Sequence, residues 1–327
     1  MKKRRTLLII DAQNMFYRGY AAVPSLSSRT GLPTGGIVGS LNIMKKLCRV
    51  MRPNAVVFCW DGMNSLATRR LINEDYKANR DSVRFNRSAD TLSPEQELQN
   101  RNEQRYRLVE YINNLPFLQF WLDDYEADDL VAFFAKSNTF PKKKWRRMIV
   151  SNDKDFVQLL DHNTMLYRPN AGKEAETLNV NRARKKYLIH PVNFTVARAM
   201  DGDVSDNLPG VPRFGLKTIA KHFPFLCTEK KYSVQDVIDY AEKQNKKTKI
   251  KAFENLLLHK KVFRDNYLVM KLDKNSVDQQ IQKRLDSAVK NFRLYLNKTK
   301  ILMMLKEDGI ILDIENLFRA SKRICVE

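Results

Sequence analysis

The sequence predicts an α/β protein with a mostly parallel central sheet flanked by helices, followed by a helical lobe. Short apolar runs alternate with helix-period segments through the first half, the pattern of a parallel sheet covered by helices. Asp11, Asp61 and Asp153 follow three of those runs, which places all three on one edge of the sheet. After about residue 185 the pattern becomes mainly helical, with dense lysine toward the end.

Taken in order, residues 7–10 are strand-like. Residues 36–50 carry Ile37, Leu41, Met44 and Leu47 at helical spacing. Residues 55–60 form a continuous apolar run before Asp61. Residues 82–107 are polar and basic, and read as either a mobile insertion or an exposed helix pair. Residues 117–122 are a further apolar run. Residues 126–136 read as a helix, and 148–150 as a short strand entering Ser151-Asn152-Asp153. Ligands of such sheets bind beyond the carboxyl ends of the strands.

The 327 residues suggest two domains, and 43% apolar content excludes a wholly disordered chain. No apolar run approaches the ~20 residues of a membrane span. The run 6–11 is too short for a signal-peptide core, so a cytoplasmic protein is expected, including a viral protein in a host cytoplasm. Cys48, Cys59, Cys227 and Cys325 show no metal-site spacing and read as thiols in a reducing compartment. The formal charge of +21 points to a polyanionic partner, with nucleic acid as the first candidate.

Within this basic chain nine acids fall in tight groups: Asp11; Asp61; Glu126, Asp128 and Asp129; Asp153 and Asp155; Asp203 and Asp206. Packed carboxylates repel unless a cation neutralises them. Hard divalent cations with oxygen ligands are the natural partner, and two such ions suit phosphodiester cleavage. Asp128 and Asp129 fall in the first turn of the expected helix, and Asp203 and Asp206 are spaced i, i+3. Taken singly, Asp11 and Asp61 read as caps or turns, and Asp153-Lys154-Asp155 as an ordinary loop. Their joint order is much less easily explained by capping.

The chain resembles the 5′ nuclease (flap endonuclease) superfamily, above all the 5′ nuclease domain of bacterial DNA polymerase I. The resemblance is carried by Leu8-Ile9-Ile10-Asp11, Phe58-Cys59-Trp60-Asp61, Asp75-Tyr76-Lys77-Ala78-Asn79-Arg80, Glu126-Ala127-Asp128-Asp129, Asp153-Lys154-Asp155 and Gly202-Asp203-Val204-Ser205-Asp206-Asn207, in family order over roughly residues 6–225. It implies a PIN-like α/β domain over 1–184, with an arch insertion at about 80–108. A duplex-binding lobe over 185–290 would follow, with a helix-three-turn-helix at about 191–222. Residues 291–327 form an extension of unknown role.

The resemblance also implies roles. Asp11, Asp61, Glu126 and Asp128 would hold one Mg²⁺. Asp129, Asp153, Asp155 and Asp203 would serve the second, with Asp206 as ligand or outer shell; Mn²⁺ is the expected substitute. Lys77 and Arg80, i and i+3 on one helix face, would grip the scissile phosphate. Tyr76 would stack on the terminal base, and Arg18 would contact phosphate. Arg84, Arg87, Arg101 and Arg105 would form an electrostatic gate at the arch. Arg213, Gly215, Lys217 and Thr218 would bind duplex backbone, with K⁺ an implied ligand there. Arg213 stands where the family has its first glycine, at a position that calls for positive φ.

The implied activity is two-metal hydrolysis near single-strand/duplex junctions, acting on 5′ flaps and on RNA primers. The implied partners are branched or flapped DNA and RNA–DNA primer duplexes, with replication proteins as further candidates. No membrane partner is expected, and the chain is expected to act as a monomer. Two rival readings are a non-catalytic branched-DNA-binding protein and a metal-dependent single-strand ribonuclease.

Overall fold

Leu7, Leu8, Ile9 and Ile10 are all at most 1% exposed, so the run is covered on both faces, as a central parallel strand must be. The structure is a computed structural model that describes residues 4–23, 26–28, 31, 33–79, 93–170, 174–248 and 250–325. The first half comprises β1 (Arg5–Asp11), α1 (Ala12–Ala22), α2 (Gly35–Met51), β2 (Ala55–Cys59), α3 (Ala67–Arg70), α4 (Pro94–Asn113), β3 (Leu118–Phe120), α5 (Ala127–Lys136), β4 (Trp145–Val150), β5 (Thr164–Arg168) and β6 (Glu176–Leu178). The six strands run in the order β3-β2-β1-β4-β5-β6. All neighbours are parallel except β5 and β6. The α/β class and parallel sheet match the sequence expectation; β5 and β6 were not anticipated.

Alternation along each strand divides the interior in two. Leu7, Ile9, Val57 and Ile149 face α5, whose Leu130 and Phe134 join the same apolar core. Leu8, Ile10, Val56, Phe58 and Met148 face α2 and α4. Helices α1 and α2 meet through glycines: a Cβ on Gly39 would lie 2.2 Å from the Gly19 carbonyl oxygen. That close approach requires glycine.

The second half is helical, as expected: α6 (Val180–Tyr187), α7 (Phe194–Asp201), α8 (Leu216–His222), α9 (Val234–Thr248), α10 (Lys251–Leu258), α11 (Lys260–Met270), α12 (Gln279–Lys290), α13 (Lys298–Glu307) and α14 (Glu315–Ser321). The division expected at 184/185 falls inside α6. One apolar core continues from Leu7 to Val289, so the helical lobe shares the sheet's packing on that side. The C-terminal extension covers the other side: Ile301, Met304, Leu305, Leu317 and Phe318 pack in the core of the α2 face. Arg107 of α4 binds Asp308, and the Tyr111 hydroxyl donates to Asp308 at 2.7 Å. Among the described residues no helix is long and apolar enough to cross a membrane.

Of the expected arch insertion, residues 93–108 are described. Helix α4 begins at a Ser93 capping box and runs on through Asn113. Gln104 is buried, and its Oε1 accepts from the Gly36 amide at 2.8 Å. From about residue 100 this segment therefore packs on α2, because buried polar side chains anchor it there. Arg84, Arg87 and Arg80 lie outside the described residues.

Candidate active site

The strand order reverses at β1: the chain goes to β2 and β3 on one side, then to β4 on the other. A switch point of this kind opens a crevice at the carboxyl ends of the two strands. Asp11 ends β1 there and caps α1, its Oδ1 accepting from the Asn14 amide at 3.0 Å. Its Oδ2 accepts from the Ser151 hydroxyl at 2.8 Å. The same Ser151 oxygen accepts from the Asp153 amide at 3.0 Å, and Asp153 Oδ1 accepts from the Asp155 amide at 2.7 Å. Asp61 Oδ1 accepts from the Ala127 amide at 2.8 Å, fixing the start of α5 and its Asp128. Asp11 and Asp61 thus do cap, with one oxygen each, and still share one locality with the others.

Three basic side chains that the sequence reading did not single out, or placed elsewhere, organise this acid group. Arg69, on the short helix α3, pairs with Glu126 and, at 2.9 Å, with Asp129. Lys77 pairs with the other Glu126 oxygen. Arg198 on α7 is 1% exposed; it binds Asp155 at 3.0 Å and also pairs with Asp203. Asp129 has both oxygens engaged, by Arg69 and by the Glu126 amide. Asp203 has both engaged as well, by Ser205 and by Arg198. Asp129 and Asp203, like Glu126 with Arg69 and Lys77 on its two oxygens, are thus held by protein donors in this structure.

The remaining acids are under electrostatic stress. Asp11 is pushed up to about 7 by burial, then by Asp128 and Asp61. Asp128 is pushed up to about 6 by burial, although Lys77 and Arg69 oppose the shift. Asp153 is raised well above the usual carboxylate range by burial and by Asp155, Asp128 and Asp206. Among the described residues no three acid, histidine or cysteine side chains are already drawn together in a manner that would hold a metal ion. The donor set nonetheless fits one: buried, mutually repelling oxygen ligands with too few cations beside them are what a hard divalent ion satisfies.

A family model described as the 5′-3′ exonuclease N-terminal resolvase-like domain matches residues 6–188. The chain belongs to that family. A 5′-3′ exonuclease of Aquifex aeolicus is 29% identical over 322 residues, 98% of this chain and 99% of the relative. The DNA polymerase I of Caldicellulosiruptor bescii is 29% identical over 218 residues, 66% of this chain. The chain spans about a quarter of that longer relative, 24% of its length. Among solved structures, the bacteriophage T5 D15 flap endonuclease in a complex with DNA and metal ions shares the fold. Its TM-score is 0.63 at 18% identity, covering 92% of this chain and 100% of that one.

In this member of the 5′-3′ exonuclease family the segment 75–79 docks on the turn 203–208. The Lys77 amide donates to the Asp206 carbonyl at 2.9 Å, and Asn207 Nδ2 donates to the Asp75 carbonyl at 2.9 Å. Lys77 sits at φ 55 in a turn, a conformation outside a regular helix; the helix face expected to be shared with Arg80 lies partly outside the described residues. Tyr76 is 3% exposed and its hydroxyl donates to Glu126 at 3.2 Å. Its ring packs in an apolar group with Leu208, Val269 and Met270, and offers no face to a base. The Arg18 guanidinium lies against the Asn152 side-chain amide. Its pKa is lowered by burial and by the neighbouring Arg168. Two cations so close favour an anion beside them.

Between α7 and α8 Arg213 is exposed; Gly215 caps α8, and Lys217 is exposed in its first turn. Arg213 has φ 69, the conformation glycine supplies without strain. Arg213→Gly is expected to raise stability by about 0.5–1 kcal/mol while weakening duplex affinity. Chemical denaturation and a DNA titration check both signs; a less stable variant contradicts the strain assignment.

Proposed function

We propose that this family member is a divalent-metal-dependent 5′ nuclease that cuts DNA near single-strand/duplex junctions. Mg²⁺ is the proposed ion, with Mn²⁺ able to replace it. RNA primers on DNA are a proposed second substrate. The carrying observation is the Ser151 hydroxyl, which links Asp11 of β1 to the Asp153 loop of β4 at the switch point. Asp11, Asp61 and Asp128 would hold one ion and Asp153, Asp155 and Asp206 the second, with Glu126, Asp129 and Asp203, already held by Arg69, Lys77 and Arg198, behind them as anchors. A divalent cation, when bound, supplies Lewis acidity to a phosphoryl oxygen and to water.

The chain's own residues supply the rest. Lys77, whose ammonium pairs with Glu126 in the acid group, would offset charge developing on phosphate. Arg18 and Arg168 hold backbone phosphate to one side. Arg213 and Lys217 engage duplex backbone; with an arginine at the glycine position, direct guanidinium contact is the proposed mode and a K⁺ bridge is secondary. No side-chain nucleophile is needed. Labelled 5′-flap, nicked and RNA-primed duplexes incubated with Mg²⁺ test the reading. Cleavage within a nucleotide or two of the junction, abolished by EDTA, is expected. EDTA-resistant cutting, or cutting of unstructured RNA alone, overturns it.

A further inference from the structure

A cavity of about 540 Å³ opens beside the acid group, between α4 and the loops that follow β2 and β3. Its volume lies within the range of ligand pockets. Three large apolar side chains from three separate segments line it: Met63, Tyr106 and Trp121, which are 86%, 65% and 54% exposed. Single exposed apolar residues are ordinary, whereas several around one opening mark a binding surface. Asp61 lines the same cavity, so the cavity adjoins the proposed metal site.

The walls are fixed. Trp60 is buried and its Nε1 donates to Gln119 Oε1 at 3.0 Å, while Gln119 Nε2 donates to the Val109 carbonyl of α4 at 3.1 Å. The Gly62 loop lies tight on the next strand's exit: a Cβ there would stand 1.8 Å from the Leu122 carbonyl oxygen. Gln13 also lines the cavity. Its Nε2 donates to the Tyr17 hydroxyl at 3.1 Å, but its buried Oε1 has no hydrogen-bond partner. Buried acceptors without donors are rare and call for a partner. Arg105 adds a cation to the lining.

We propose that this cavity is a nucleobase subsite for the single-stranded 5′ arm of the substrate. The inference rests on the nuclease reading above and adds to it a named place for an unpaired base. Aromatic faces bind any base by stacking. Arg105 would meet the neighbouring phosphate. Bases in a duplex are already stacked and paired, so the cavity selects a single strand.

The test is a coupling measurement in EDTA, where no cutting intervenes. Affinity is measured for a 5′-flap duplex with intact bases and with abasic sites in the first single-stranded positions. For the wild-type chain the abasic change is expected to weaken binding about tenfold, the scale of one base–aromatic stack. In Trp121→Ala, and independently in Tyr106→Ala, that penalty is expected to fall to about twofold or less. Trp121→Phe is expected to keep it. An unchanged penalty in both alanine variants overturns the subsite, as does a penalty that appears only for abasic sites in the duplex arm. Cleavage of the same flap with Mg²⁺ is scored in parallel. Wild-type cutting without coupling sinks the subsite alone, and coupling without cutting sinks the nuclease reading alone.

Discussion

Replacing Asp153 and Asp155 together by asparagine is expected to lower flap cleavage by about 10³-fold or more, some 4 kcal/mol of barrier, with flap affinity in EDTA largely retained. The two side chains stand at the end of β4, where Asp153 is joined to Asp11 through Ser151. Asparagine keeps their shape and most hydrogen bonds but removes two anionic oxygen ligands. Divalent ions with oxygen ligands depend on that charge. The basic residues proposed to hold DNA, including Arg213 and Lys217, lie on other elements. Single-turnover rates beside anisotropy titrations separate the two effects. A double variant that cuts at the wild-type rate contradicts the assignment of these acids to the metal site.

Arg198→Ala is expected to destabilise the fold by about 3–5 kcal/mol, because it leaves buried carboxylates without their counter-charge. The guanidinium is 1% exposed and contacts Asp155 at 3.0 Å and Asp201 at 2.5 Å, with Asp203 and the Gly202 carbonyl as further partners. It ties Asp155, beyond the end of β4, to Asp203, beyond the end of α7, so its loss acts on folding and on the site together. Urea unfolding in EDTA measures it. A loss below about 1 kcal/mol would mean that water reaches these carboxylates and the pair is in effect a surface one.

The sheet was legible because β1, β2 and β4 are continuous apolar runs, each long enough to identify and each leading into an acid. β5 and β6 were not: Thr164–Arg168 and Glu176–Leu178 mix polar with apolar residues near the sheet edge, where only one flank demands burial. The acids of the site were legible through their grouping. Their division of labour was not. Whether Asp129 meets Arg69 or solvent depends on α3, which is 57 residues or more away in sequence from its partners, and a lone arginine carries no pattern that reveals this. Tyr76 shows the same limit. Its neighbours in sequence are polar, yet its ring is buried against Val269 and Met270 from α11, a contact only the tertiary fold creates. The φ of 55 at Lys77 is likewise not legible, because nothing in its local sequence demands it; it accompanies the docking of 75–79 on the 203–208 turn.

The most direct measurement is anomalous diffraction from crystals of the Asp153-bearing wild-type chain grown with Mn²⁺. The account predicts two anomalous peaks in the crevice at the ends of β1 and β4, one among Asp11, Asp61 and Asp128 and one beside Asp153 and Asp155. A map with no peak in that crevice, or with its peaks on another face of the molecule, contradicts it.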